Sequence, residues 1–86
     1  MSEGSDKKKR IGAVGLVMRR PAASGFQVQK VLAEHARLIV GRLEIPLPTR
    51  SLTVMALIIE ATTDEVGALT GKLGSLPNVR VKTSLV

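Results

Sequence analysis

Apolar positions fall into six blocks along the chain, and their spacing switches between a period of two and a helical period. Residues 10–18 are apolar on both alternating faces, with Ile11, Ala13 and Val17 on one and Val14, Leu16 and Met18 on the other. A strand of that kind is covered on both sides. Val28, Val31, Leu32 and His35 then follow at i, i+3, i+4 and i+7, one face of a helix. Ser24 and Gln27 stand at the spacing of a capping box, which predicts a loop from Arg19 to Gly25 and a helix from there to about Ala36. Residues 37–45 alternate again: Ile39, Gly41, Leu43 and Ile45 share one face, and Leu38, Val40, Arg42 and Glu44 share the other. Pro46-Leu47-Pro48 reads as a stiff connection, since proline donates nothing to a ladder. Residues 51–61 form a third strand, apolar on both faces. Thr62 and Glu65 are a second capping box, Val66, Leu69, Leu73 and Leu76 repeat at three and four, and Pro77-Asn78 ends that helix. Val79 to Leu85 closes the chain with a strand whose Arg80, Lys82 and Ser84 alternate with apolar residues.

The order βαββαβ predicts an α+β fold: a ferredoxin-like sandwich, with a four-stranded antiparallel sheet and two helices on one face. In that topology the first and third strands are central, which suits their two apolar faces. The helices cover one face only. The other presents an apolar stripe, expected to be rimmed by Arg42, Glu44, Arg80 and Lys82. Soluble monomers rarely expose such a patch, so the expected partner is another copy of the chain, as a dimer or tetramer.

Composition supports assembly. A chain of 86 residues buries roughly 60–65% of its unfolded surface and is marginal alone. It has no cysteine, so disulfides and cysteine-ligated metals are excluded, and stability is expected from oligomerisation. Absent cysteines fit a reducing cytoplasm. One phenylalanine, no tyrosine and no tryptophan require an aliphatic core and weigh against stacking on single-stranded nucleic acid. No segment reaches the ~20 apolar residues of a membrane span. The KKKR run followed by apolar residues imitates a signal peptide, but Arg19-Arg20-Pro21 interrupts it. The net charge of +6 is concentrated in Lys7, Lys8, Lys9 and Arg10. Residues 1–9 read as a disordered basic tail and 10–86 as the folded domain.

Residues 66–74 (VGALTGKLG) and 78–83 (NVRVKT), with Val40-Gly41-Arg42 and the proline-containing turn after it, resemble the family of iron-only hydrogenase system regulators. The resemblance spans about Arg10 to Leu85. Members are similar in fold to ACT domains and to the C-terminal domain of the nickel-responsive repressor. The resemblance implies a ferredoxin-like homo-oligomer with a regulatory role and brings no catalytic residues. The repressor's cluster of histidines and cysteine is missing here, so its metal chemistry does not transfer.

Few residues carry candidate chemistry. Gly71-Lys72-Leu73-Gly74 fails as a phosphate loop, because its glycines lie inside a helix and leucine follows the lysine. Gly67, Gly71 and Gly74 are better explained by close packing against the sheet, the first helix or another subunit. His35 is the sole histidine, too few for a metal site within one chain. Glu60, Asp64 and Glu65 have no paired acid in a pocket. In ACT domains the first strand–helix connection borders the ligand site. Here Arg19, Arg20, Ser24 and Gly25 are the candidate ligand-binding residues, with two guanidinium groups and a helix start suited to an anion. The expectation is a cytoplasmic, non-enzymatic regulatory or small-ligand-sensing homo-oligomer. It needs no cofactor, metal or membrane, and its candidate ligand is a small anion. The alternative is a nucleic-acid-binding transcriptional regulator using Lys7, Lys8, Lys9 and Arg10. A small enzyme of the dimeric ferredoxin-like barrel type needs polar residues between paired sheets, and the stripe is aliphatic.

Overall fold

A computed structural model of the chain describes residues 8–86. Residues 1–7, and with them Lys7 and most of the expected tail, lie outside the described part. Four strands run Arg10–Arg19 (β1), Ile39–Leu47 (β2), Leu52–Ala61 (β3) and Val79–Leu85 (β4), and two helices run Pro21–Glu34 (α1) and Thr63–Gly74 (α2). The strands form one antiparallel sheet in the order β2-β3-β1-β4. This is the ferredoxin-like fold.

The core lies between the helices and one face of the sheet. Val14, Leu16 and Met18 of β1 and Met55, Leu57 and Ile59 of β3 meet Val28, Val31 and Leu32 of α1 and Val66, Leu69 and Leu73 of α2. All are aliphatic or methionine, as the composition requires, and Phe26 is exposed on α1.

Helix α2 starts where the sequence places it. Thr62 Oγ1 accepts from the Glu65 amide at 3.2 Å, and Glu65 Oε1 accepts from the Thr62 amide at 2.9 Å. Such a box stabilises a helix by about 1 kcal/mol. The Thr62 amide also holds the Glu65 carboxyl below its ordinary pKa, against the opposing effect of partial burial.

Helix α1 starts earlier than its capping-box spacing indicates. Its first residue is Pro21 and its N-cap is Arg20, with φ 51° and no side-chain cap. Proline is pre-set for the first helical position, and Ala22 and Ala23 continue the helix readily. Ser24 therefore lies inside the first turns, buried, and its Oγ has no protein partner. The helix ends at Glu34, one three-residue 3-10 turn (Ala36–Leu38) follows, and β2 begins at Ile39 rather than Arg37. His35 caps the helix end: its Nδ1 donates to the Val31 carbonyl at 2.9 Å.

Strand β2 departs from simple alternation. A bulge at Val40 shifts its register, so that Ile39 pairs with Ile59 but Gly41 pairs with Ile58. Ile39 thus keeps the helix side, while Gly41, Leu43 and Ile45 pass to the open side. Pro46 belongs to β2 rather than to the connection. Its missing amide is tolerated because β2 is an edge strand. The expected close packing of Gly67, Gly71 and Gly74 against the sheet or α1 is not found. All three are exposed, with no atom within 4 Å of an added Cβ.

Candidate functional site

The sheet face away from the helices is left uncovered. Strand pairing arranges it in cross-strand rows. Gly41, Ile58, Ala13 and Ser84 form one row, and Leu43, Ala56, Gly15 and Lys82 form the next. Beyond that second row lie Ile45, Val54, Val17 and Arg80, and beyond the first lie Glu60 and Ile11. Ile11, Leu43, Ile45, Val54 and Ile58 are between 36% and 60% exposed, which makes the patch continuous over three strands. Its relief is uneven. Glycine and alanine leave low ground at Gly41, Ala56 and Gly15, and a hollow of about 320 Å³ is lined by Gly41, Leu43, Ala56 and Ile58, with Arg42 at its margin.

The expected rim is half correct. Arg80 and Lys82 border the face along β4. Arg42 and Glu44 do not, because the bulge at Val40 sends both to the helix side. There Arg42 Nη2 donates to Gln29 Oε1 at 3.0 Å and to Glu44 Oε1 at 3.1 Å, tying β2 to α1. A glycine inside a strand pattern is a bulge signal, and Gly41 was that signal. On the open side Leu43 and Ile45 replace the two charges, so the apolar patch reaches the β2 edge.

The expected anion site lies at one end of the sheet. Arg19 ends β1 and Arg20 caps α1, both exposed. Three non-glycine residues with left-handed backbone meet there: Arg20 (φ 51°), Ser51 (φ 53°) and Asn78 (φ 66°). Backbone hydrogen bonds join them, from the Arg19 amide to the Asn78 carbonyl at 2.8 Å and from the Arg20 amide to the Ser51 carbonyl at 3.0 Å. The strained turns are therefore cross-braced. The free amides expected after Ser24 are not available, however. Pro21 has no N–H, the Ala23 amide bonds the Arg20 carbonyl at 2.8 Å, Ser24 is buried, and Gly25 lies within the helix. The structure brings Arg19 and Arg20 together but does not gather Ser24 and Gly25 with them.

Other candidate groups are dispersed. Lys8, Lys9 and Arg10 are exposed at the start of β1. His35 is half-buried beside Glu34, Arg37 and Glu65, and Arg37 reaches Glu65 at 3.6 Å. Among the described residues no group of three His, Cys, Asp or Glu side chains is placed to hold a metal, and no helix is long and apolar enough to cross a membrane.

Comparison with known proteins agrees with this architecture. The chain is similar to the uncharacterised protein TM1266 from Thermotoga maritima, with 29% identity over 92% of this chain and 99% of that one and a TM-score of 0.89. The C-terminal domain of the MgtC protein from Mycobacterium tuberculosis shares the fold at 18% identity, with 90% and 87% of the two chains covered and a TM-score of 0.66. So does the apo form of CPII from Thiomonas intermedia K12, a nitrogen regulatory PII-like protein, at 12% identity, 93% and 96% coverage and a TM-score of 0.53. No curated protein matches the chain. The TM1266-like family, described as "Iron-only hydrogenase system regulator, putative", matches residues 10–83, and the chain belongs to that family.

Proposed function

We propose that this protein is a non-enzymatic regulatory subunit of the cytoplasm that works as a homo-oligomer assembled through the open sheet face. The observation that carries the reading is the continuous apolar patch of Leu43, Ile45, Val54, Ile58 and Ile11, on a chain too small to be robust alone. The family description supplies the regulatory role, and no described cluster of side chains offers a nucleophile beside a base. Ile58→Asp puts a charge at the centre of the patch without touching the core. The wild type is expected to sediment as a dimer or larger at micromolar concentration, and the variant as a folded monomer. A monomeric wild type sinks the reading.

As a regulator it would sense a small anion, held by the Arg19 and Arg20 side chains at the cross-braced end of the sheet. Two exposed guanidinium groups in sequence support modest affinity for a carboxylate or phosphate. The CPII protein, which shares the fold, has been seen bound to ADP, AMP and bicarbonate. Arg19→Ala/Arg20→Ala is expected to weaken such an anion by about 10–100-fold, the scale of one or two charge-assisted hydrogen bonds. Isothermal titration with nucleotides and bicarbonate measures this, and unchanged affinity in the double variant removes the site. The second reading, a nucleic-acid contact through Lys7, Lys8, Lys9 and Arg10, draws support from the exposure of the last three. It would be purely electrostatic and would disappear with added salt.

A further inference from the structure

The geometry points to one particular pairing of two open sheet faces: a second copy lies face to face with the first about a two-fold axis that crosses the strands between the Ile58 row and the Ala56 row. This rests on the assembly through the open face proposed above, and it specifies how that assembly is built. The argument comes from the relief of the patch. Ile58 is a knob and Ala56, its neighbour two residues earlier on the same face of β3, is a hole. On β2 the same alternation has Gly41 as the hole and Leu43 as the knob, at the same two rows. A two-fold between the rows exchanges them. Ile58 of each copy then sits over Ala56 of the other, and Leu43 over Gly41, so four knobs enter four holes.

Charge favours the same axis. Glu60 is the only acidic residue on this face of the described strands, and Arg19 lies at its opposite end. The exchange carries Glu60 over Val54 of the other copy, diagonally next to that copy's Arg19, within reach of two long side chains. Lys82 meets Ser84 rather than a second cation.

Other axes fit less well. A two-fold running along the strands lays Arg80 and Lys82 over Ile45 and Leu43. That presses cations onto apolar side chains, which is unfavourable in a close-packed interface. A two-fold through the Ile58 row sets Ile58 against itself. A two-fold through the Ala56 row sets Ile58 against Val54. The area suffices: strands of 10, 9, 10 and 7 residues, at about 3.3 Å per residue and about 4.8 Å apart, offer roughly 570 Å² per copy, near the lower limit for a specific dimer when two are counted.

The test exchanges knob and hole within one strand. Ala56→Ile, Ile58→Ala and the double variant are compared with wild type by sedimentation velocity across a dilution series, with circular dichroism to verify folding. Both changes lie on the open face, and isoleucine suits a strand better than alanine does. Ala56→Ile sets knob against knob and is expected to raise the dimer dissociation constant about 100-fold. Ile58→Ala empties the hole and weakens the dimer too. The double variant moves the knob to the other row, where the same two-fold again matches it to a hole, and is expected to return to within about 10-fold of wild type. A double variant no tighter than Ala56→Ile alone overturns this axis, and so does an Ala56→Ile variant that dimerises like wild type. In either case a dimeric wild type leaves the open-face assembly standing, whereas a monomeric wild type removes both.

Discussion

Leu57→Asp is expected to leave no folded protein at 25 °C, while Ile58→Asp, one residue later, leaves the fold intact. The two positions share a strand and differ only in the side they face. Leu57 is fully buried among α1, α2 and the central strands, whereas Ile58 is 46% exposed. An aspartate at 57 places a carboxylate in the core, where its cross-strand neighbour Arg42 is already engaged by Gln29 and Glu44. Removing the leucine costs about 2–5 kcal/mol through lost burial and the cavity left behind, and the buried carboxyl adds several more. A domain this small holds a total stability near the lower end of about 5–15 kcal/mol, so the native state is lost. Circular dichroism and the amide dispersion of a proton–nitrogen spectrum distinguish the two variants directly. A folded Leu57→Asp protein would mean that the core lies elsewhere. An unfolded Ile58→Asp protein would mean that assembly and folding are a single transition.

The segment from Thr62 to Leu85 was legible in detail because each of its signals is local. The Thr62–Glu65 box forms both reciprocal hydrogen bonds and β4 occupies the residues its alternation marks, while α2 ends at Gly74, short of the Leu76 that its periodicity included and of Pro77-Asn78. The central placement of β1 and β3 was legible too, since a strand apolar on both faces has few places to go. Helix α1 was misread at its start because two N-terminal signals compete there. A proline at the first position and a serine at capping spacing three residues on both suit a helix start, and the proline prevails because the backbone can enter the helix at once from Arg20. The cost is a left-handed arginine and a buried serine hydroxyl without a protein partner. The bulge at Val40 had the larger consequence. A one-residue slip turns every later side chain of β2 over. It moved Arg42 and Glu44 to the helix side and gave the open face Leu43 beside Ile58. The candidate ligand residues were separated for a similar reason: Arg19 and Arg20 stay adjacent at a strand end, while Ser24 and Gly25 are carried up the helix.

Gly12→Val is expected to detach the end of β4 and destabilise the domain by about 1–3 kcal/mol, the cost of overpacking a site that cannot relax. Gly12 is buried on the helix side of β1 and pairs with Leu85. An added Cβ would meet Leu85 Cδ2 at 2.6 Å and the Ser84 carbonyl oxygen at 2.9 Å. The leucine methyl can rotate away. The carbonyl cannot move without its strand, and β4 is an edge strand held to the sheet by β1 alone. Valine favours a strand over glycine by up to about 1 kcal/mol, and that gain is smaller than the clash. Gly15 serves as the internal comparison. It lies three residues further along β1 on the open side, where an added Cβ has nothing within 4 Å. Gly15→Val should therefore leave the monomer fold as stable as wild type or slightly more so. Urea denaturation gives the two stabilities. Hydrogen exchange gives the location, with protection lost at Thr83 to Val86 in Gly12→Val and kept at the β1–β3 pairs. Equal stability of the two valine variants, or uniform loss of protection across the sheet, would show that the Ser84 carbonyl is not what keeps residue 12 a glycine.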